Sequence, residues 1–290
     1  MSSLYGRRRG GLTPRTVALA GALAVCAAGA GVAAVHLYGK PTPDTFGCYD
    51  SAPQTHSFVL FDASNPRFNE EQERALRTYL DGSYGNLGFN EKLSFITTEG
   101  DQVSSIVRPR FYVCGAARTP ADLEAINAAS ATSGYLRKEK DRLYRELYAP
   151  ELDALLALDP EDGRVQEWQS PILETIQAIA RLPEFQPGSR LIIISDLLQY
   201  SDSAKFCRVQ NEMPPFRVFK QRPVYARLKP KSLAGVAVEV LMLQRQGYGQ
   251  ADLQYCSGED EIAAFWRDYL IDNGAADPSL IRIRHGSVLR

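Results

Sequence analysis

Leu191-Ile192-Ile193-Ile194-Ser195-Asp196 is an apolar run of strand length that closes on a hydroxyl and a carboxylate. Ser57-Phe58-Val59-Leu60-Phe61-Asp62 has the same shape. Strands that are apolar at nearly every position are buried on both faces, as in a parallel sheet covered by helices. Leu93-Ser94-Phe95-Ile96, Arg110-Phe111-Tyr112-Val113, Val236 to Leu243 and Leu280-Ile281-Arg282-Ile283 read as further strands, the last at an edge. Helical patterns separate them. The expected fold is therefore α/β, a doubly wound and mostly parallel six-stranded sheet.

The helices follow from caps and spacing. Asn69 with Gln72 three positions on predicts a capping box. That helix buries Ala75, Leu76, Tyr79 and Leu80 and is expected to stop at Gly82. Thr119-Pro120 opens a long helical insertion, about 119–160, through Leu123, Ile126, Leu136, Leu143 and Leu147, with a break expected before Pro150. Ser170-Pro171 opens another helix, whose face is Ile172, Leu173, Ile176, Ile179 and Ala180. Ser257 is expected to cap a helix carrying Ile262, Phe265, Trp266, Tyr269 and Leu270, closed by Gly274.

The N-terminus sets the expected compartment. Thr16 to Gly39 carry no charged side chain and follow Arg7, Arg8, Arg9 and Arg15. About 20 apolar residues cross a bilayer as a helix, and the arginines mark the cytoplasmic side. A cleaved signal has a shorter apolar core, and Val25 before Cys26 is a poor lipoprotein signal. Residues 16–39 thus read as an uncleaved transmembrane helix. A basic tail precedes it (1–15), a stiff linker follows (40–54), and an exported domain completes the chain (55–290). The expected setting is a bacterial inner membrane with the domain in the periplasm.

Removing Arg7, Arg8, Arg9, Arg15 and Lys40 reduces the 33 basic residues to 28 against 34 acidic ones, a net −6 for the exported part. A weakly acidic domain is a poor binder of nucleic acid. Cys48, Cys114, Cys207 and Cys256 are an even number in an oxidising setting and read as two disulfides. Spacing alone leaves all three pairings open.

In an open α/β sheet, ligands bind beyond the carboxyl ends of the strands. Asp62 and Asp196 each follow a buried strand directly and belong on that edge. If the strands are neighbours, the two carboxylates converge near Ser64 and Ser170. Such an oxygen-rich cluster suits a hard cation, Mg²⁺ first. Asp62-Ala63-Ser64-Asn65-Pro66, Gln169-Ser170-Pro171 and Ile194-Ser195-Asp196 together resemble the metal-ion-dependent adhesion site of the von Willebrand factor A (VWA) family. The first motif departs from the family pattern at Pro66, where a third hydroxyl is expected. The resemblance implies strand order 3-2-1-4-5-6 with an antiparallel third strand. It also implies disulfides Cys48–Cys114 and Cys207–Cys256, and metal ligands Asp62, Ser64, Ser170 and Asp196. Its functional implication is a non-enzymatic interaction module that binds a protein partner in the cell envelope.

Each of these residues also has an ordinary use. Ser170 before Pro171 reads as a helix cap. Asp62 and Ser64 read as turn caps, and Asp196 as an acceptor for nearby amides. A metal-free scaffold is one competing reading. An exported metal-dependent hydrolase, phosphoesterase-like with Asp62 as nucleophile or ligand, is another, though no general acid is evident. Gly82 to Gly88 is glycine-rich but reads as a turn after a helix, not a phosphate cradle. Residues 216–231 mix Phe216, Phe219 and Tyr225 with six basic residues. They read as a solvated surface segment, or as a binder of nucleic acid, acidic protein or anionic headgroups. The charged stretch Arg137 to Arg142 reads as a solvated face, with Leu136, Leu143, Tyr144 and Leu147 open to a partner.

Overall fold

A computed structural model describes residues 39–64, 68–98, 107–157, 169–206, 213–244 and 258–284. The expected transmembrane helix, Pro66, Cys207 and Cys256 lie outside these residues, apart from Gly39. Among the described residues no helix is long and apolar enough to cross a membrane.

Six strands form one sheet: β1 (His56–Phe61), β2 (Lys92–Thr97), β3 (Phe111–Cys114), β4 (Arg190–Ser195), β5 (Ala237–Leu243) and β6 (Ser279–Ile283). Their order is β3-β2-β1-β4-β5-β6. All neighbours are parallel except β2 and β3. This is the order and polarity that the sequence resemblance implied, and the sheet fits a VWA-like fold. Leu191 to Ile194 have no exposed surface. Burying each such side chain contributes roughly 1.5–3 kcal/mol. Period-two alternation divides them: Leu191 and Ile193 join one core layer, and Ile192 and Ile194 the other.

The first layer is covered by α5 (Ile172–Ile179) and α8 (Glu259–Asp272), with the short α6 (Phe216–Phe219) and α7 (Pro223–Leu228) beside them. Ile262, Phe265, Trp266, Tyr269 and Leu270 of α8 are all buried, as their spacing predicted. Gly258 stands at the N-cap of α8, and its N–H donates to Glu261 Oε2; Ser257, the expected cap, lies outside the described residues. The second layer is covered by α1 (Glu70–Gly85) and by the insertion. Both halves of the Asn69/Gln72 capping box form. Gln72 Nε2 also donates to Gln244 O (2.7 Å), tying the helix start to the end of β5.

Three sequence expectations are corrected. Helix α1 runs through Gly82 to Gly85. The buried Tyr84 stacks on Tyr148, ring centroids 4.3 Å apart, and that packing outweighs the cost of about 1 kcal/mol for a helical glycine. In the insertion, the break falls after α2 (Pro120–Ala125), where Asn127 takes φ 56°, and not before Pro150. Beyond it, α3 (Ser133–Arg142), a π-helical segment (Leu143–Tyr148) and α4 (Ala149–Leu156) follow without interruption. Ala149 N–H reaches back five residues to Tyr144 O. The widened turn puts Pro150 at the start of α4, where its missing N–H is harmless. Finally, Leu136 and Leu143 are buried, and Tyr144 and Leu147 pack on the core; they are not open to a partner.

Cys48 and Cys114 are disulfide-bonded, with Cα atoms 5.0 Å apart. The bond pins the entering chain to the amino edge of the sheet, where Cys114 faces Lys92. It closes a loop of sequence separation 66, for which chain entropy predicts a contribution of about 4 kcal/mol. Replacing both cysteines with serine is expected to lower unfolding free energy by about that amount in urea titrations. A change below about 1 kcal/mol would mean that the segment around Cys48 is held by its other contacts.

Candidate functional site

The carboxyl edge of the sheet is organised by Asp62, which has no exposed surface. Phe61 lies level with Thr97 of β2 and Ile194 of β4, so Asp62 stands between Thr98 and Ser195. Oδ1 accepts from Ser64 N (3.1 Å), Ser64 Oγ (2.8 Å) and Thr98 Oγ1 (2.9 Å). Oδ2 accepts from Ser170 Oγ (2.8 Å) and Ser195 Oγ (2.6 Å). One carboxylate thus holds the ends of β1, β2 and β4 and the entry to α5.

The structure brings Asp62, Ser64 and Ser170 into direct contact. Ser170 does not cap α5; that helix has no side-chain cap, and the Ser170 hydroxyl points into the hub. Its backbone is fixed by paired bonds with Tyr200, Ser170 N to Tyr200 O (2.7 Å) and Tyr200 N to Ser170 O (2.9 Å). Asp62 does make the expected turn contact with Ser64 N–H, in addition to its longer-range bonds. Asp196 stands on the same edge one residue past Ser195, and its Oδ1 accepts from Leu198 N (2.9 Å). Sequence reasoning missed Thr98 and Ser195. Ser195 ends β4 and Thr98 follows β2, and knowledge of which strands flank β1 would have flagged both.

Leu197, beside Asp196, has φ 66° and is fully buried. A non-glycine residue in this left-handed region costs about 1–2 kcal/mol. It is held there by its N–H to Ser195 Oγ (2.8 Å) and by Trp266 Nε1 donating to its carbonyl (2.9 Å).

Among the described residues, no three or more His, Cys, Asp or Glu side chains gather to hold an ion. The carboxyl edge offers a different set: two carboxylates with serine hydroxyls, all oxygen. Ser64 and Ser170, having turned their protons toward Asp62, keep oxygen lone pairs for another ligand. Such a set fits a hard cation in kind. A cleft of about 460 Å³ lies at the opposite, amino edge, lined by Pro43, Tyr49, Tyr135 and Leu136 among others; it does not touch the hub.

No protein-family model matches the chain. No curated protein matches it either. Among solved structures it is similar to the crystal structure of the conserved hypothetical protein BatB from Bacteroides thetaiotaomicron. The identity is 14% and the TM-score 0.36, over 80% of this chain and 91% of that one.

Two stability measurements test the hub and its neighbour. Asp62→Ala strands four hydroxyls and is expected to cost about 3–5 kcal/mol. Asp62→Asn keeps an acceptor, and the serine hydroxyls can rotate to accept, so about 1–2 kcal/mol is expected. Equal costs would remove Asp62 from the centre of the network. At the strained position, Leu197→Gly is expected to be about 1 kcal/mol less destabilising than Leu197→Ala, because only glycine relieves the backbone.

Proposed function

We propose that this chain is a membrane-anchored, exported interaction domain of the VWA-like kind, acting without catalysis. It binds a protein partner at the carboxyl edge around Asp62, Ser64, Ser170 and Asp196. A divalent cation, Mg²⁺ first, is held on the same edge. The observation that carries this reading is the convergence of four hydroxyls and one amide on a single buried carboxylate. That arrangement aims Ser64 Oγ and Ser170 Oγ while Asp196 supplies a second charge. These residues would hold the cation, which supplies a positive centre for a carboxylate of the partner. Asp62 orients the hydroxyls and takes no part in bond making, since both its oxygens already accept hydrogen bonds. This favours recognition over the hydrolase alternative, in which Asp62 would need an oxygen aimed at substrate.

Export is supported by the Cys48–Cys114 disulfide, a bond of oxidising compartments. Anchoring is supported by the uncharged stretch from Thr16 to Gly39 behind four arginines.

Isothermal calorimetry with Mg²⁺, Mn²⁺ and Ca²⁺ tests the cation. Heat is expected for the wild type, and at least about ten-fold weaker binding for Asp196→Asn and Ser170→Ala, a loss of about 1.4 kcal/mol. No heat from any ion would leave a metal-free scaffold. The partner is tested separately by crosslinking in intact cells from a photoreactive residue at the exposed Asp202. A captured protein that is also captured from Glu151, on the far helix α4, would sink the assignment of the edge.

A further inference from the structure

The segment from Met213 to Lys231 carries Arg217, Lys220, Arg222, Arg227, Lys229 and Lys231 and no acidic residue. In a domain that is otherwise net acidic, this is a marked local excess. The structure divides its side chains. Phe216, Phe219 and Tyr225 are buried in the core, so the aromatic residues do not interleave with the charges at the surface. All six basic residues are exposed. Lys220 is paired with Asp272; the other five have no ion pair among the described residues.

The position of the segment gives the excess its meaning. Helix α5 starts at the hub and runs back toward the start of β4. Gln177, near its far end, donates to the carbonyls of Arg227 and Lys229. Helix α8 likewise runs back from the carboxyl edge, and its last residue, Asp272, accepts from Lys220 and Tyr225. Leu233 N–H bonds Asn273 O just beyond it. The basic segment therefore lies at the amino edge. The chain enters the domain at that same edge, through Gly39 to Cys48, fixed there by the disulfide to Cys114. The uncharged stretch read as a membrane span ends at Gly39.

We infer that the amino edge is a docking face for an anionic phospholipid surface, contacted by Arg217, Arg222, Arg227, Lys229 and Lys231. This rests on the anchored reading for its geometry: the tether leaves the domain on the face that carries the unpaired positive charge. Each lysine or arginine near an anionic bilayer contributes about 1 kcal/mol, so five together hold the domain against the surface and point the Asp62 edge away from it.

The test uses the full chain in nanodiscs of phosphatidylcholine alone or mixed with phosphatidylglycerol. Hydrogen exchange is followed for amides 213–231. Protection is expected only with phosphatidylglycerol, and it should fade at high salt. It should also disappear in the Arg222→Glu/Arg227→Glu chain, whose changed side chains are both exposed. Equal exchange in the two lipids would overturn the inference and leave the patch to an acidic protein partner. Should the chain fail to enter discs, the anchor reading fails on its own. Flotation with phosphatidylglycerol vesicles then decides the patch: the double variant must bind at least about ten-fold more weakly than the wild type. Unchanged flotation would end the proposal.

Discussion

A carboxylate removed from water costs several kcal/mol unless nearby donors replace its hydration. Asp62 is removed completely and is given five donors among the described residues in return. Hydrogen bonds to a charged group are worth about 1.5–3 kcal/mol each, so offsetting the burial cost takes several of these donors at once. That condition makes the hub a constraint on everything around it. Strands β2 and β4 must flank β1 in one register, Ser64 must turn back, and the Ser170 loop must close over the strand ends. The paired bonds between Ser170 and Tyr200 belong to the same closure.

The loop after β4 carries the strain that this closure requires. Leu197 is turned into the left-handed region while its side chain stays in the core. Trp266 grips its carbonyl from α8, and Ser195, itself bound to Asp62, accepts its amide. Asp196 sits between these two fixed points, so its carboxylate is positioned from both sides. A side chain held this way has little freedom left to lose.

Much of this was legible in the chain. The strands were readable because an unbroken apolar run bounded by polar residues has one use in a globular domain, burial on both faces. Asp62 and Ser64 were readable because they stand just beyond such a run, and Ser170 because it stands before Pro171 at the opening of a helix. Thr98 and Ser195 were not, because their role depends on which strands flank β1. That is information of register, which no local pattern carries. Ser170 was ambiguous between cap and hub, since a serine before a proline serves either end, and only the three-dimensional path to Asp62 decides. Gly82 and Pro150 misled for a common reason. Both are local breakers, and both yield here to aromatic packing of Tyr84 and Tyr148 and to a π-helical turn that no propensity encodes. Leu197 gave no sign of its backbone, because the expected residue at such a φ is glycine.

The two edges of the sheet differ in what they hold. The carboxyl edge encloses Asp62 and Asp196 and carries the acidic first turns of α1 and α8 at its surface. The amino edge holds the disulfide, the entering chain and the unpaired basic side chains. The connecting strand β4 has six residues, about 20 Å at roughly 3.3 Å per residue. That distance exceeds the Debye length of about 8 Å at physiological ionic strength. A negatively charged membrane at the amino edge therefore leaves the field at Asp196 almost unchanged. A partner or cation meeting the carboxyl edge would sense the serine hydroxyls and the two carboxylates, not the lipid. Lipid composition would then alter how the domain is oriented and leave its affinity at the far edge alone, unless the sheet itself were to deform.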